Sequence, residues 1–541
     1  MATSYKRVGW IDGTTPLISE NLIHMEAGIE NAIMQANQNE KRIATFETPA
    51  YNIEGLSALE KELYSRYQTA RTGKVFATRM KRYSKDTNPK GEYILDSVGK
   101  TCTASTDTVE GQDDFLSENV FVWERCNYIR DADTTARVTA IEGRSGFKET
   151  GSVDVGTIMP TFWWKQEIGE NYITYYVSDM PHAELGLVPW CEAVKADGTI
   201  LPYYIGSAYP SVVGDDGLPR SLPNKSPAYN QSHNNMCTEY AKKGEGYHGA
   251  GSERNLFALI MSVIKYRTMN VDYISKGCTG FSAQVKCAVA ETGVKRILLT
   301  NNSTFYLGAC VSVSTGGLTS APDRGSANCH TKADRVRVKS IEEVTVSGTK
   351  YYAYNLDTSA AFDTTTDTYV SAMPCFTGET NKVIGKHDGA YISNTNSQHI
   401  MRICGREYLG GQGMIFGGTA LKFQDKAWHV LKAPKGVKAN SSLTDYVDTG
   451  VAYDYNDGKD TYQGDLVFNA QYGTYAMLTK GDGSTLGVGD IIWEGGTGRT
   501  DGELREFYSG GDLWDGSRAG LACVLCRTGL GDAGWNSGSF D

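Results

Sequence analysis

The final segment of the chain, 510–541, has a glycine every few positions, and this spacing constrains how the segment can fold. Glycine tolerates positive φ and close backbone approach, so the pattern predicts a chain folded back on itself. Only 521–525 is short, apolar and flanked by glycine-rich sequence, as expected of a buried strand. Trp514 and Trp535 lie among these glycines, which are Gly510, Gly511, Gly516, Gly520, Gly529, Gly531, Gly534 and Gly538.

We expect the side chains between these glycines to point outward from a rigid support. Side chains presented on loops by a rigid scaffold lose little entropy on binding, so such a support suits a binding surface. The side chains expected to point outward are Asp512, Leu513, Asp515, Arg518, Arg527, Thr528 and Asp532.

The composition favours many short strands and turns. The chain has 541 residues, enough for two to four units, with 60 Gly and 32 Tyr against only 14 Pro. We therefore expect a β-rich α+β protein. The formal net charge of −10 argues against binding through nucleic-acid phosphates, which requires a basic surface.

The sequence indicates no membrane insertion and no signal peptide. The longest apolar run, 256–264, is far shorter than the roughly 20 residues of a spanning helix, and the N-terminus lacks a continuous apolar core. Synthesis in the cytoplasm is therefore expected. Twelve Cys spread over so long a chain are expected to be mostly reduced core residues rather than a disulfide framework.

The N-terminal segment, 1–49, predicts a short coiled coil. Apolar residues repeat every seven positions at Leu22, Ile29, Ala36 and Ile43, with Met25, Ala32 and Asn39 three further on in each heptad. This is an a/d seam suited to self-association, although one amphipathic helix packed on its own domain is the alternative.

The segment that leads into this seam and overlaps its first heptad resembles a known attachment segment. From Trp10 to Ile29 it reads Trp-x-Asp-Gly-Thr-Thr-Pro, then Glu-Asn-Leu and Met-Glu-x-Gly-Ile. This motif is similar to the N-terminus of tail-fibre and baseplate proteins in phages of Gram-positive bacteria. The resemblance implies that 1–49 attaches the protein to the phage particle.

Alternating apolar and polar residues predict strands along most of the remaining chain. The segment 50–160 is interpreted as a β-rich connecting module, with strands at 119–123 and 137–141 and a possible helix over 64–80. The main body, 161–541, is expected to open with strands at 172–177 and 200–205. Helices follow at 234–243 and 252–267, and then strands and turns, with a possible β insertion at about 314–440.

The order of these elements supports a second resemblance. Paired strands, two helices and the turns at Gly277–Phe281 and Tyr446–Gly450 precede a Gly-Gly-x-x-Trp-x-Gly-x-x-Ala-Gly-Leu motif and a closing Trp-Asn-x-Gly. The pattern resembles the variable proteins of diversity-generating retroelements, including phage receptor-binding proteins of the major-tropism-determinant type. The resemblance implies a C-type-lectin fold of the formylglycine-generating-enzyme kind for 161–541.

The same resemblance implies which residues bind the ligand. In that family altered residues of the final segment line a ligand-binding face, which here corresponds to 510–538. Gly511, Trp514, Gly516, Gly520 and Trp535 match the fixed frame, and Trp514 is also counted with the face. The candidate binding residues are Asp512, Leu513, Trp514, Asp515, Arg518, Leu525, Arg527, Thr528 and Asp532.

Other motifs are better interpreted without a cofactor or metal. The thiols of Cys523 and Cys526 would face opposite sides of a strand, so they would not converge on one metal. The acidic segment 454–465 lacks the spacing and the bidentate Glu of an EF-hand loop. No His, Ser or glycine-rich catalytic signature is present, and no carboxylate pair is singled out. We therefore expect no enzyme activity.

Two hypotheses remain. The first is a phage tail or baseplate receptor-binding protein, located in the virion and trimeric, whose partners are tail or baseplate proteins and a host cell-surface protein or glycan. Multivalency would then strengthen weak single contacts. The alternative is a tail-associated enzyme that degrades polysaccharide or cell wall through a carboxylate pair in its middle β region.

Overall fold

A computed structural model describes residues 53–83, 90–315, 320–392 and 400–541. Within these ranges the protein is β-rich, with three α-helices and twenty-nine strands. The predicted attachment segment, its heptads and its coiled coil lie outside the described residues. No helix of the described ranges is both long and apolar enough to cross a membrane.

The three helices are α1 (Ala58–Thr69), α2 (His233–Glu239) and α3 (Glu253–Tyr266). Helix α1 begins with a capping box, in which the Ser57 hydroxyl accepts from the Glu60 N–H while the Glu60 carboxylate accepts from the Ser57 N–H. The helices predicted at 234–243 and 252–267 are confirmed. The first becomes a 3₁₀ turn at Tyr240–Lys243 and ends before Gly244, whose φ of 144° leaves the helical region.

Two predicted elements of the connecting module are wrong. The helix expected over 64–80 stops at Thr69, because the chain then extends and 75–81 pairs with two other strands. The strand expected at 119–123 is instead a 3₁₀ turn, Asn119–Phe121, whose three side chains are buried. The sequence pattern of this segment predicted a strand with one buried face. In the structure both its polar and its apolar residues are buried, and they form no β-ladder.

The first part of the chain forms two larger sheets and a small hairpin. The sheet orders are β2-β1-β7-β6-β8, β4-β3-β5-β9 and β10-β11. Strands from before and after residue 160, where the sequence predicts a boundary, therefore pair with each other. The strands are β1 (Val75–Lys81), β2 (Glu92–Leu95), β3 (Glu124–Arg130), β4 (Ala136–Ile141), β5 (Asp154–Pro160), β6 (Trp163–Ile168), β7 (Tyr172–Ser178), β8 (Val188–Pro189), β9 (Tyr203–Ser207), β10 (Ser211–Val213) and β11 (Pro219–Ser221).

A six-stranded antiparallel sheet follows in the order β12-β17-β14-β15-β16-β13. It begins before the β insertion that the sequence predicts at about 314–440, and it includes the long hairpin of β15 and β16. Its strands are β12 (Gln284–Lys286), β13 (Arg296–Leu299), β14 (Cys310–Val313), β15 (Ala333–Val346), β16 (Thr349–Leu356) and β17 (Tyr369–Ala372).

The last part of the chain contributes a three-stranded sheet, β18-β19-β20, and the largest sheet, β23-β22-β21-β27-β28-β26-β24-β25, in which β29 pairs with β21. The strands are β18 (Gly389–Ala390), β19 (Met401–Ile403), β20 (Arg406–Tyr408), β21 (Gly413–Gln424), β22 (Ala427–Lys432), β23 (Val447–Asp454), β24 (Thr461–Asn469), β25 (Thr474–Lys480), β26 (Ile491–Trp493), β27 (Leu504–Ser509), β28 (Val524–Leu525) and β29 (Ser537–Ser539).

Helix α3 lies at the centre of the main apolar core. Every residue of the helix after Glu253 is buried, and its apolar side chains belong to the largest cluster of buried residues. The face predicted from Leu256, Leu259, Ile260, Val263 and Ile264 is therefore only part of the buried surface. A helix buried nearly all round is stable only when other elements surround it, and here β1, β7, β19 and β25 contact it.

A buried ion triad anchors the last turn of α3. The Lys265 Nζ lies 2.7 Å from the Asp113 Oδ2 and 2.6 Å from the Asp388 Oδ2, and each of the three side chains is only 1% exposed. Asp388 also accepts a hydrogen bond from the Cys404 N–H at 2.6 Å. Two distant parts of the chain, at Asp113 and Asp388, are thus tied to the central helix by one charge.

Replacing Lys265 should destabilise the fold strongly. In Lys265→Met the two carboxylates stay buried without their cation, and removing one partner of such a group costs about 3–5 kcal/mol. Urea unfolding followed by tryptophan fluorescence measures the change. The matched control is Lys350→Met, because the Lys350 pair with Glu343 lies on the surface, with side chains 55% and 57% exposed. Equal stabilities of the two variants would contradict the role of the triad.

Candidate binding face around Trp514

The turn at 510–516 is fixed by its own hydrogen bonds. The Trp514 N–H donates to the Asp512 Oδ1 at 2.8 Å, and the Asp512 N–H donates to the Asp515 Oδ2 at 2.7 Å. Gly511 has a φ of 69°, and a Cβ at this position would lie 2.2 Å from the Ala519 Cβ. Glycine is required there both for the backbone conformation and for the close approach.

Trp514 projects from this turn and packs on a buried arginine. Its side chain is 57% exposed, the most exposed aromatic among the large hydrophobic residues of the described chain. The Arg324 guanidinium carbon lies 4.5 Å from the centre of the Trp514 ring and 5.2 Å from that of Trp535. A guanidinium in contact with indole rings is attracted by their π electrons, so Arg324 helps to fix Trp514.

Arg324 is itself held by the six-stranded sheet. Its Nε donates to the Ala372 carbonyl at 2.8 Å and one terminal nitrogen donates to the Ser282 carbonyl at 2.6 Å. The other terminal nitrogen is buried and has no hydrogen-bond partner within the described residues. Burial lowers the pKa of Arg324 to about 10, so the side chain remains a cation at neutral pH.

Two acidic residues beside Trp514 have raised pKa values. Burial raises the pKa of Asp512, while Asn536, which donates a hydrogen bond to its Oδ2, opposes that shift. Burial and the nearby charge of Asp512 raise the pKa of Asp515 to about 6. The charges of Arg518 and Arg527 act on Asp515 in the opposite direction, which places both cations near this carboxylate.

The structure places some predicted site residues on the surface and others inside. Trp514, Arg518, Arg527 and Asp532 are exposed, and Asp515 and Thr528 are partly exposed. Trp514, Asp515, Arg518 and Arg527 form one group. Thr528 and Asp532 form another group beside the buried Glu506, whose pKa both residues influence.

The prediction that Asp512 and Leu513 point outward is wrong. Leu513 is fully buried, because it inserts into the apolar core of the six-stranded sheet with Phe281 and Ile400. Asp512 is only 8% exposed, since its carboxylate is used to hold the turn. Leu525, the candidate within β28, is also buried, in a cluster with Met236 and Tyr508. These three side chains therefore belong to the buried support of the face and not to its surface.

Arg324 was not predicted from the sequence, and neither was the role of Asn536. Arg324 belongs to a polar turn far from 510–538, and nothing in that turn marks it as a partner of Trp514. Asn536 stands next to the frame residue Trp535, and its hydrogen bond to Asp512 joins the two ends of the terminal segment. The Trp535-Asn536 pair is therefore the one sequence signal that could have indicated this contact.

The motifs that suggest metals have other partners. No cluster of three or more His, Cys, Asp or Glu among the described residues could hold a metal ion. Cys523 and Cys526 are free and buried, and burial raises the pKa of both thiols. In the acidic segment 454–465 the N–H groups of Asn456 and Gly458 donate to Glu494, so the loop is closed by protein hydrogen bonds.

The chain matches no protein-family model and no curated protein sequence.

Replacing Glu506 should alter how stability depends on pH. Burial raises the pKa of Glu506 from 4.5 to about 9. Between these two pH values the folded state holds a proton that the unfolded state has released. The stability that Glu506 contributes is therefore complete below pH 4.5 and is lost as pH rises through 9. Between pH 5 and 9, Glu506→Gln should lose less stability than the wild type, by on the order of 5 kcal/mol.

Urea unfolding at pH 5, 7 and 9 measures this difference. Glu343→Gln on the exposed hairpin is the matched control and should follow the wild type. If Glu506→Gln loses as much stability as the wild type across this range, then Glu506 is not protonated in the folded protein.

Proposed function

We propose that this protein is a phage tail or baseplate receptor-binding protein that recognises a host cell-surface ligand through the face around Trp514. The observation that carries the proposal is an indole 57% exposed to solvent and fixed on a buried guanidinium. Exposing so large an apolar ring has a free-energy cost in water, and binding a partner would recover it.

The geometry of the face suits recognition. Trp and Arg dominate the binding energy of many interfaces, and an aromatic ring that is already immobilised loses little entropy when it binds. Asp515, Arg518 and Arg527 place charges of both signs beside the ring. Such a rim contributes specificity and orientation more than affinity. A protein side chain and the apolar face of a sugar ring are both suitable partners for the indole.

The proposed C-type-lectin fold of 161–541 rests on the order of the elements. Paired strands precede α2 and α3, and the terminal segment returns to the main sheet, where β29 pairs in parallel with β21. This pairing supports a final segment held as part of the sheet, as the resemblance to variable proteins of diversity-generating retroelements implies.

Attachment and assembly are proposed from the sequence of 1–49. Its resemblance to tail-fibre and baseplate proteins supports a location in the virion, and its heptads support a trimer. Three faces on one particle would increase avidity without new contacts. The proposal includes no enzyme activity and no cofactor.

Trp514→Ala should abolish most of the binding to host cells. Labelled protein is applied to a panel of Gram-positive strains, and a strain that retains the wild type is used to compare variants. Truncation of a central Trp costs 2 kcal/mol or more, which is about a thirtyfold loss of affinity. Trp514→Phe should retain part of the binding, because a ring still covers Arg324. Retention of Trp514→Ala at the wild-type level would contradict the proposal.

Two controls accompany this experiment. Val109→Ala removes apolar surface from a side chain that is 62% exposed outside the terminal segment, and it should bind as the wild type does. Purified envelopes are also incubated with the protein and assayed for released sugars and wall fragments. Release would favour the alternative, a tail-associated polysaccharide- or wall-degrading enzyme.

A further inference from the structure

A cavity of about 800 Å³ lies at the start of α3, and no residue of 510–538 lines it. Its walls come from 188–196, 248–253, 432–435 and 468–472, together with Arg130 and Thr134. This volume is in the range of small-molecule sites. The cavity is therefore a candidate site that the proposed receptor-binding function does not use.

Cations outnumber anions in this cavity. Arg130, Lys195, Lys432 and Lys435 line it, against Glu192 and Glu253. This excess is local, because the whole chain has a formal net charge of −10.

Both carboxylates of the cavity already have cationic partners. Glu253 forms an ion pair with Lys432. Glu192 pairs with Arg406 at 3.3 Å and also accepts a hydrogen bond from the Trp190 indole N–H at 2.9 Å. Lys432 lowers the pKa of Glu253 to about 2 despite its burial, so Glu253 is not poised to act as a general acid.

Two of the four cations also have anionic partners outside the cavity lining. Lys195 lies 3.2 Å from Asp133, and Arg130 lies 3.8 Å from Asp541 while donating to the Thr134 carbonyl at 3.1 Å. Lys435 differs from the other cations. It has neither a hydrogen bond nor an ion pair with any described residue.

A second side chain of the cavity also lacks a partner. The His248 Nδ1 is buried and has no hydrogen-bond partner within the described ranges. Burial and the positive charges of Arg130 and Lys432 lower the pKa of His248 to about 3, so the ring is neutral. Burial and Arg130 also lower the pKa of Lys435. The carboxylates of Glu192 and Glu253 oppose these shifts but do not cancel them, so burial and the neighbouring cations outweigh the negative charge at this end of the cavity.

The remaining walls suit a ligand that has both apolar surface and hydroxyl groups. Val188, Phe468 and Ala470 provide apolar surface, while Gln471 and Tyr472 provide polar groups. Sugars present both kinds of surface on one ring, so they match this lining better than a purely apolar molecule does.

We propose that the cavity binds an anionic sugar, with its phosphate or carboxylate group at Lys435 and Arg130 and its ring against the wall formed by Phe468 and Ala470. A charge-assisted contact with an anion would supply the partner that Lys435 lacks. The site recognises a ligand of the size of one sugar that carries a negative charge. It is independent of the face around Trp514.

Isothermal titration calorimetry of the full chain tests this assignment with glucose 6-phosphate, glucuronic acid, glucose and inorganic phosphate. Saturable binding of at least one anionic sugar, and weaker binding of both glucose and inorganic phosphate, is the expected result. The phosphate and carboxylate sugars distinguish the two sources of charge. Failure of both anionic sugars to bind, or equal binding of glucose or of inorganic phosphate, would overturn the proposal.

Variants locate the binding. Lys435→Gln should weaken the anionic sugar at least tenfold and leave thermal stability unchanged, since Lys435 has no partner to lose. Lys438→Gln is the matched control, because Lys438 is exposed and does not line the cavity. Ala470→Trp should block binding by filling the space. Undiminished affinity in Lys435→Gln, or an equal loss in Lys438→Gln, would overturn the assignment. Trp514→Ala should leave this binding unchanged, so the two proposals fail separately.

Discussion

The ammonium group of Lys265 holds the centre of the molecule together. It lies at the end of a helix with almost no exposed surface, and two buried carboxylates from distant segments are its only ionic partners among the described residues. A charge in this environment is stable only when it is fully paired. The sheets around α3 must therefore pack so that both Asp113 and Asp388 reach Lys265, and this requirement couples their positions.

The terminal segment is part of the same packed structure. Leu513 and Leu525 enter two different apolar clusters, and β29 pairs with β21 of the main sheet. Because these side chains are buried, the exposed residues between them are held in place by the core. The exposed side chains of Trp514 and Arg518 can therefore be replaced without disturbing the apolar clusters, whereas replacement of Leu513 would open a cavity in the six-stranded sheet.

Local signals predicted part of this structure. Helices α2 and α3 were predicted to within a few residues, because apolar spacing and a glycine stop are encoded in consecutive residues. The same applies to β7, whose consecutive aromatic and β-branched residues favour a strand. Exposure in 510–538 was not predictable, because whether Leu513 faces solvent depends on a sheet formed by 284–372. The contact of Arg324 with Trp514 and the cavity beside Lys435 also join distant segments, so no local motif announces them.

The central claim is that a host ligand contacts the face around Trp514. Hydrogen–deuterium exchange of the full chain, with and without envelope from a strain that retains the protein, tests this most directly. The account predicts slower exchange in 510–518 and in the turn that contains Arg324, with little change in α3. Protection elsewhere with none in these two segments would contradict the account.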